Sequence, residues 1–451
     1  MSNPNAAAGA QEKTPSYAWV ALVVSLLAAI SIVYAWMWLP AITFPVFKGW
    51  LGANCASVQA DPSQFGLLSN VMGLVPIAAL IMAFPASFVV RKFDPKVGTL
   101  VGLGLAVIGS AICAITITSS FTAFLAGRFI LGLGLAQTIV AGPTCVSIWF
   151  PNTTRGRAMA IWSIWAPVGI FTVNVFGDSI YHAVGQNLVT LLWVWTIVIV
   201  VIGVLFAIVF RKPRADEASE VSAETKSFRE VLPFFKKRQL WCLIFMFAIF
   251  NYMNYAFSQY LKTWLQLDPT AGGLGWDPAM AGLIGGALTA CGILAPIGGF
   301  ILDKLPRNLK YVAVVSGITG LTVCSALAFQ NNMVVFVFYA IFFCIGNMFL
   351  NGCCRPMIPT YVFKGGATAV ALGLSFLTFG QYLGQTITSY ALEPFNASMS
   401  AGACDPMLAF WALVPIGVVG IIASLLMKPS KNDMAGGKPQ GKPAEGAPQA
   451  K

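Results

Sequence analysis

The sequence predicts an all-α membrane protein with twelve transmembrane helices in two six-helix halves and both termini in the cytoplasm. Composition, the recurrence of apolar runs and the placement of cations predict it. Of 451 residues, 57% are hydrophobic and only 10% charged, whereas soluble domains carry about a quarter charged residues. Lipid is therefore the solvent. Apolar stretches of roughly 20 residues, enough to cross a hydrocarbon core of about 30 Å, recur over 18–40, 64–90, 97–118, 121–146, 158–178, 188–210, 239–264, 279–302, 310–329, 333–357, 367–391 and 406–427. The net charge of +11 would suggest a nucleic-acid partner in a soluble protein. Here all Lys and Arg except Lys48, Arg128, Lys262 and Arg355 fall in alternate connections or in the tails. That distribution puts both termini on the cation-rich, cytoplasmic side.

Residues 1–16 and 428–451 are rich in Ala, Gly, Pro, Lys and Gln and read as disordered tails. Residues 17–210 form the first half and 239–427 the second. The charged stretch 211–238 reads as a flexible cytoplasmic linker between them. The first span is too long for the apolar region of a signal peptide, so it is expected to remain in the mature chain. Traces of duplication support the two halves. Thr154-Arg155-Gly156-Arg157-Ala158 after the fourth span is answered by Phe363-Lys364-Gly365-Gly366-Ala367 after the tenth, and Arg91-Lys92-Phe93 by Asp303-Lys304-Leu305. Such repeats let a carrier build a midplane site that faces either side in turn.

Gly299-Phe300-Ile301-Leu302-Asp303-Lys304, with Arg307 beyond it, resembles the G-x-x-x-D-R/K loop signature of the major facilitator superfamily. The first-half copy is degenerate, with Ser87 for Gly and Arg91 for Asp, followed by Lys92. Arg128-x-x-x-Gly132-x-Gly134 resembles the family's R-x-x-x-G-x-G motif in the fourth helix. Trp149-Phe150-Pro151 before Arg155-Gly156-Arg157, and Lys262-Thr263-Trp264-Leu265 with Gln266 in place of Pro, are similar to stretches in organic-anion branches such as the oxalate/formate-type exchangers. The resemblance implies gating roles for Gly132, Gly134, Arg91, Lys92, Gly299, Asp303, Lys304 and Arg307. It also implies that the first, fourth, seventh and tenth helices line the cavity.

A charge near the bilayer midplane costs at least about 2.5 kcal/mol, so each needs a reason. Arg128 and Arg355 are such charges, and Lys262 lies at the outer end of the seventh span. Every Asp and Glu falls in a tail, loop or span end, Asp178 and Asp303 being nearest to lipid depth. Cations without buried acids favour an anionic cargo, held by a bidentate pair. The competing reading of Arg128 is that it bonds backbone carbonyls and never meets substrate; for Arg355 it is snorkelling to the interface. Polar stripes at helical spacing are Ser31, Tyr34 and Trp38; Asn251, Tyr255, Ser258 and Lys262; Asn347, Asn351 and Arg355; and Thr378, Gln381, Gln385 and Ser389. These stripes either line a cavity or bond helix to helix.

The sequence thus points to a carrier that exchanges a small organic anion across a bacterial-type inner membrane by rocking of the two halves. Arg128, Arg355, Tyr34, Trp38, Asn251, Tyr255, Lys262, Asn347, Asn351 and Gln381 are the candidate substrate residues. The alternatives are a carrier of amphipathic, drug-like or bile-acid-like compounds, suggested by 33 Phe and 15 Met, and a membrane sensor with a carrier fold. Enzymatic chemistry is not expected: His182 is the single histidine, and no catalytic cluster lies at membrane depth. No metal or cofactor is expected, because the ten cysteines lack C-x-x-C spacing. The expected partners are the anion and the bilayer, with no nucleic acid, and the expected functional unit is the monomer. Cys55 and Cys404 lie in outer loops of different halves and are expected to stay free thiols.

Overall fold

The structure, a computed structural model, describes residues 14–150, 154, 158–159, 161–213, 232–306, 309–362 and 366–428. Among these there are helices and no strands. Ten helical segments are long and apolar enough to cross a membrane. In chain order the long helices are α1 (Ser16–Ile42), α2 (Ser69–Phe93), α3 (Pro95–Thr116), α4 (Phe121–Ser147), α5 (Trp165–Ala183), α6 (Leu188–Val209) and α7 (Arg238–Gln266). The pieces Pro278–Thr289, Ala290–Leu294 and Ala295–Lys304 make α8, followed by α9 (Lys310–Leu327), α10 (Met333–Val362), α11 (Gly366–Ala391) and α12 (Pro406–Leu425). Of these, α5 and α11 fall outside the ten but pack in register with the others. The bundle end at which α1 begins is called the terminal end below, and the opposite one the far end.

The segment between α1 and α2 departs from expectation. Instead of running as loop up to residue 64, it folds into short helices over Phe44–Asn54, Ala56–Ala60 and Pro62–Leu67, and α2 starts at Ser69. Phe47 and Leu51 anchor this cap, since both are fully buried. The centre of α8 tightens into a 3₁₀ turn over Ala290–Leu294. Pro296 explains the break: it has no N–H for the Gly292 carbonyl and disfavours helical geometry at Ala295.

Close helix contacts within the first half depend on the motif glycines. A Cβ on Gly132 would run into the Val75 carbonyl of α2, and one on Gly134 into Ala106 and Gly102 of α3. In the second half, Gly298 rather than Gly299 makes the close approach, lying against the Met348 carbonyl of α10, whereas Gly299 has ordinary clearance. Arg307 and residues 155–157 and 363–365 lie outside the described residues, as do the side chains of Arg91 and Asp303. Lys92 lies 5.2 Å from the Phe93 ring and Lys304 4.3 Å from the Phe300 ring.

The degenerate α2–α3 loop recovers a carboxylate three residues past Arg91. Asp94, at φ +102°, caps α3 by accepting from the Lys96 N–H at 2.7 Å and pairs with Lys212 just after α6. Cys55 and Cys404 are buried free thiols, as expected. The disulfide instead joins Cys291 in the 3₁₀ turn of α8 to Cys344 of α10, inside the second half.

Gly132→Ala is expected to cost about 1–3 kcal/mol through overpacking. The readout is a lowered unfolding temperature of the purified protein in detergent, independent of any ligand.

Candidate functional site

Three prolines decide where donors are wanted. A proline inside a helix leaves the carbonyl four residues earlier without its N–H. Pro40 in α1 therefore frees the Trp36 carbonyl, and the chain leaves helical geometry at Met37. Pro76 in α2 frees the Met72 carbonyl. Ala41 sits in the last turn of α1, where carbonyls have no helical donor, and the residue four ahead is Pro45. In lipid no water can satisfy these groups, so side chains must.

Arg128 of α4 meets the first of these demands. It is fully buried; its Nη2 donates to the Trp36 carbonyl at 2.9 Å, Nη1 to the Ala35 carbonyl at 2.7 Å and Nε to the Val71 carbonyl at 2.8 Å. Nη2 also approaches the Met72 sulfur at 3.8 Å. The guanidinium thus ties α4 to α1 and α2, and the packing at Gly132 and Gly134 holds those helices close enough to reach. In this conformation the bonds that Arg128 makes among the described residues run to backbone carbonyls and the Met72 sulfur.

The other two carbonyls are met from the opposite half. Tyr255 of α7 donates its hydroxyl to the Met72 carbonyl at 3.0 Å and accepts from Trp36 Nε1 at 3.1 Å, with its ring stacked on Trp36. Lys262, also of α7 and 3% exposed, donates to the Ala41 carbonyl and lies 3.8 Å from Asp178 of α5. Phe44 stacks on Tyr260 beside them. Tyr390 of α11 donates to Asn70 at 2.8 Å, and a Cβ on Gly73 would press on Ser389 and Tyr390. Gly282 of α8 fits against the Asn174 carbonyl of α5. Together these contacts close the far end across the two halves.

Arg355 of α10 is placed differently. It is partly exposed, and among the described residues its hydrogen bond is from Nη2 to Gln381 Oε1 of α11 at 3.0 Å. Around it the second half presents Tyr382 and Gln385 of α11, whose buried hydroxyl and Oε1 have no hydrogen-bond partner. Asn351 Nδ2 donates to Asn347 Oδ1 at 3.3 Å on α10, and Asn347 in turn donates to the Phe343 carbonyl. The α10 and α11 stripes therefore converge on one guanidinium near the terminal end.

The remaining candidates divide. Asn251 donates to the Phe247 carbonyl of its own helix at 2.9 Å. Tyr34 turns into the first half, with its ring 5.4 Å from Trp195 and its hydroxyl accepting from Thr172. Trp38 is fully buried against Phe47. Tyr255 and Lys262, grouped by helical spacing with the substrate residues, are spent at the far-end seam. Asp178, which the sequence places at a span end, stands at that seam with His182 Nε2 3.9 Å away. Only the pairing of Pro40, Pro76 and Pro45 with donors elsewhere could have signalled these roles, and that pairing is long-range.

The family model described as Major Facilitator Superfamily matches residues 22–389. The chain belongs to the Major Facilitator Superfamily. Among solved structures, the fold is similar to that of a bacterial homolog to the human lysosomal transporter Spinster. Its inward-facing, unoccupied form aligns with TM-score 0.67 at 15% identity, covering 93% of this chain and 100% of that one. The inward-facing, occupied form aligns with TM-score 0.64 at 16% identity over the same shares. At these identities the likeness concerns the fold. No curated protein sequence gives a significant match. As a member of this superfamily the protein is a multi-pass membrane transporter, and its far end is closed here.

Arg128→Gln removes charge-assisted bonds to carbonyls on two helices, each worth about 1.5–3 kcal/mol, so unfolding at a markedly lower temperature is expected with or without ligand. Arg355→Gln should leave the unfolding temperature near wild type. Thermal denaturation of the two variants side by side checks the division of labour between the arginines.

Proposed function

We propose that the protein is a secondary transporter, not an enzyme, that carries a small organic anion bearing a carboxylate, with Arg355 as the residue that meets the charge. The observation that carries this reading is the unequal use of the three membrane-depth cations. Arg128 spends its donors on backbone carbonyls, and Lys262 has Asp178 and the Ala41 carbonyl. Among the described residues Arg355 bonds to a neutral amide, that of Gln381. A guanidinium at this depth gains most from a carboxylate that takes two parallel hydrogen bonds and offsets its desolvation. Gln381, Tyr382, Gln385 and Asn351 supply neutral donors and acceptors beside it, which suits a polar cargo better than an amphipathic one.

In this reading the chain crosses the membrane twelve times, α5 and α11 included, with both termini in the cytoplasm of a bacterial-type cell. Arg355 then lies toward the cytoplasmic end while the opposite end is sealed. The carrier works as a monomer and exchanges one anion for another, because an unliganded Arg355 resists transfer through the midplane.

Thermal stabilisation by a panel of carboxylates, sulfonates, sugars and bile acids tests the substrate class, since a bound cargo stabilises by mass action. Carboxylates are expected to shift the unfolding temperature of the wild-type protein, and Arg355→Gln to weaken the best of them roughly 100-fold, as loss of a bidentate pair implies. Counterflow of the same carboxylate in proteoliposomes should fall in parallel. A carboxylate that shifts the variant and the wild type equally would remove Arg355 from the site, and a shift by bile acids alone would favour an amphipathic cargo.

A further inference from the structure

Helices that must part during transport cannot be joined by bonds that are costly to break, yet buried polar groups cannot be left unmet. The far-end seam reconciles the two demands. Its acceptors are the Met72 and Ala41 carbonyls of the first half, both left open by prolines, and its donors are Tyr255 and Lys262 of the second half. Both donors lie on α7, two helical turns apart on one face. Beside Lys262 stands Asp178 of α5, so the upper donor brings an ion pair across the same seam. The charged groups around this pair are few: α1 has no charged residue over Ser16–Ile42, α8 has none over Pro278–Thr289, and α5 adds His182 one turn beyond Asp178.

We propose that Tyr255 and Lys262 form a two-point latch that holds the far end closed by occupying proline-vacated carbonyls, with Asp178 as the counter-ion that completes the upper point. Opening the far end withdraws α7 from α1 and α2. The Met72 carbonyl then loses its donor, and Lys262 parts from both the Ala41 carbonyl and Asp178 at the rim, where water takes their place. The prolines are part of the device. Were residue 76 able to donate an N–H, Met72 would bond along its own helix, Tyr255 would share its acceptor, and parting would no longer strand that carbonyl. Arg128 secures the neighbouring Trp36 and Val71 carbonyls within the first half, so the acceptor strip moves as one body. The latch does not depend on Arg355 binding an anion.

The test reads the far-end opening with no anion present. Nitroxides are attached through non-canonical residues at Ala60 and Met407, exposed far-end positions of the two halves, and their distance distribution in lipid nanodiscs gives the open-to-closed ratio. Tyr255→Phe and Lys262→Met are each expected to raise that ratio roughly tenfold, in line with coupling free energies of conformational switches. Asp178→Asn should raise it too, and Asp178→Asn with Lys262→Met should do no more than Lys262→Met alone, because residues that act as a pair are non-additive. Pro76→Ala should shift the ratio in the same direction as Tyr255→Phe and add little to it. A ratio unchanged within twofold in Tyr255→Phe and Lys262→Met would overturn the latch. So would full multiplication of the Pro76→Ala and Tyr255→Phe effects, which would place the proline's influence elsewhere. Arg355→Gln should leave the ratio unchanged, so failure of the latch and failure of the anion reading are separately visible.

Discussion

The fold depends on one constraint: a backbone carbonyl in lipid must have a donor, and prolines in α1 and α2 deprive several carbonyls of theirs. Everything unusual about the polar residues at membrane depth follows from how those carbonyls are satisfied. Of the proline-freed carbonyls, Arg128 serves Trp36, Tyr255 serves Met72, and Lys262 serves Ala41, while Arg128 also donates to the Ala35 and Val71 carbonyls, which no proline frees. The donors come from α4 within the same half and from α7 of the other half. The same chemical need thus builds a permanent knot in one place and a separable contact in another.

The difference between knot and contact lies in the donors. A guanidinium presents several N–H groups in a fixed fork, so Arg128 binds two helices at once and its removal leaves several acceptors unmet. A phenol or an ammonium donates to one carbonyl here, with one further partner each in Trp36 and Asp178, so it withdraws at the cost of fewer bonds than Arg128 makes. Closing one end with neutral acceptors also avoids stranding a bare carboxylate in lipid when the halves part. Asp178 fits this logic, because it sits near the end of α5 with its side chain 22% exposed, where water reaches it.

Much of this was legible in the sequence. Span positions followed from length and apolarity, and α1, α4, α7 and α10 fell close to their expected limits. Gly132 and Gly134, expected from the resemblance to act in gating, lie at close helix contacts. The capping helices over 44–67 were missed because the longest has only 11 residues, well short of the roughly 20 that mark a span. The turn in α8 was missed although Pro296 announced it. The partners of Arg128 were not legible for a deeper reason: an isolated cation in an apolar run looks the same whether its partner is a cargo or a proline-freed carbonyl. Pro40 and Pro76 were visible, but the helix facing each is fixed by tertiary packing across long separations. Likewise, the α7 stripe gave Tyr255 and Lys262 a common face without saying that the face was a seam.

Arg355 is placed unlike the other cations at membrane depth. Among the described residues its partner is Gln381, a neutral amide on the adjacent helix of the same half. An arginine that pinned helices together would resemble Arg128, with several short bonds to main chain and no exposure. Among the described residues Arg355 has a side-chain bond to Gln381, partial exposure and a neighbour in Tyr382 whose buried hydroxyl has no hydrogen-bond partner. Two arginines of similar sequence context therefore differ in what surrounds them, and that difference is what supports placing the proposed anion at Arg355 and not at Arg128.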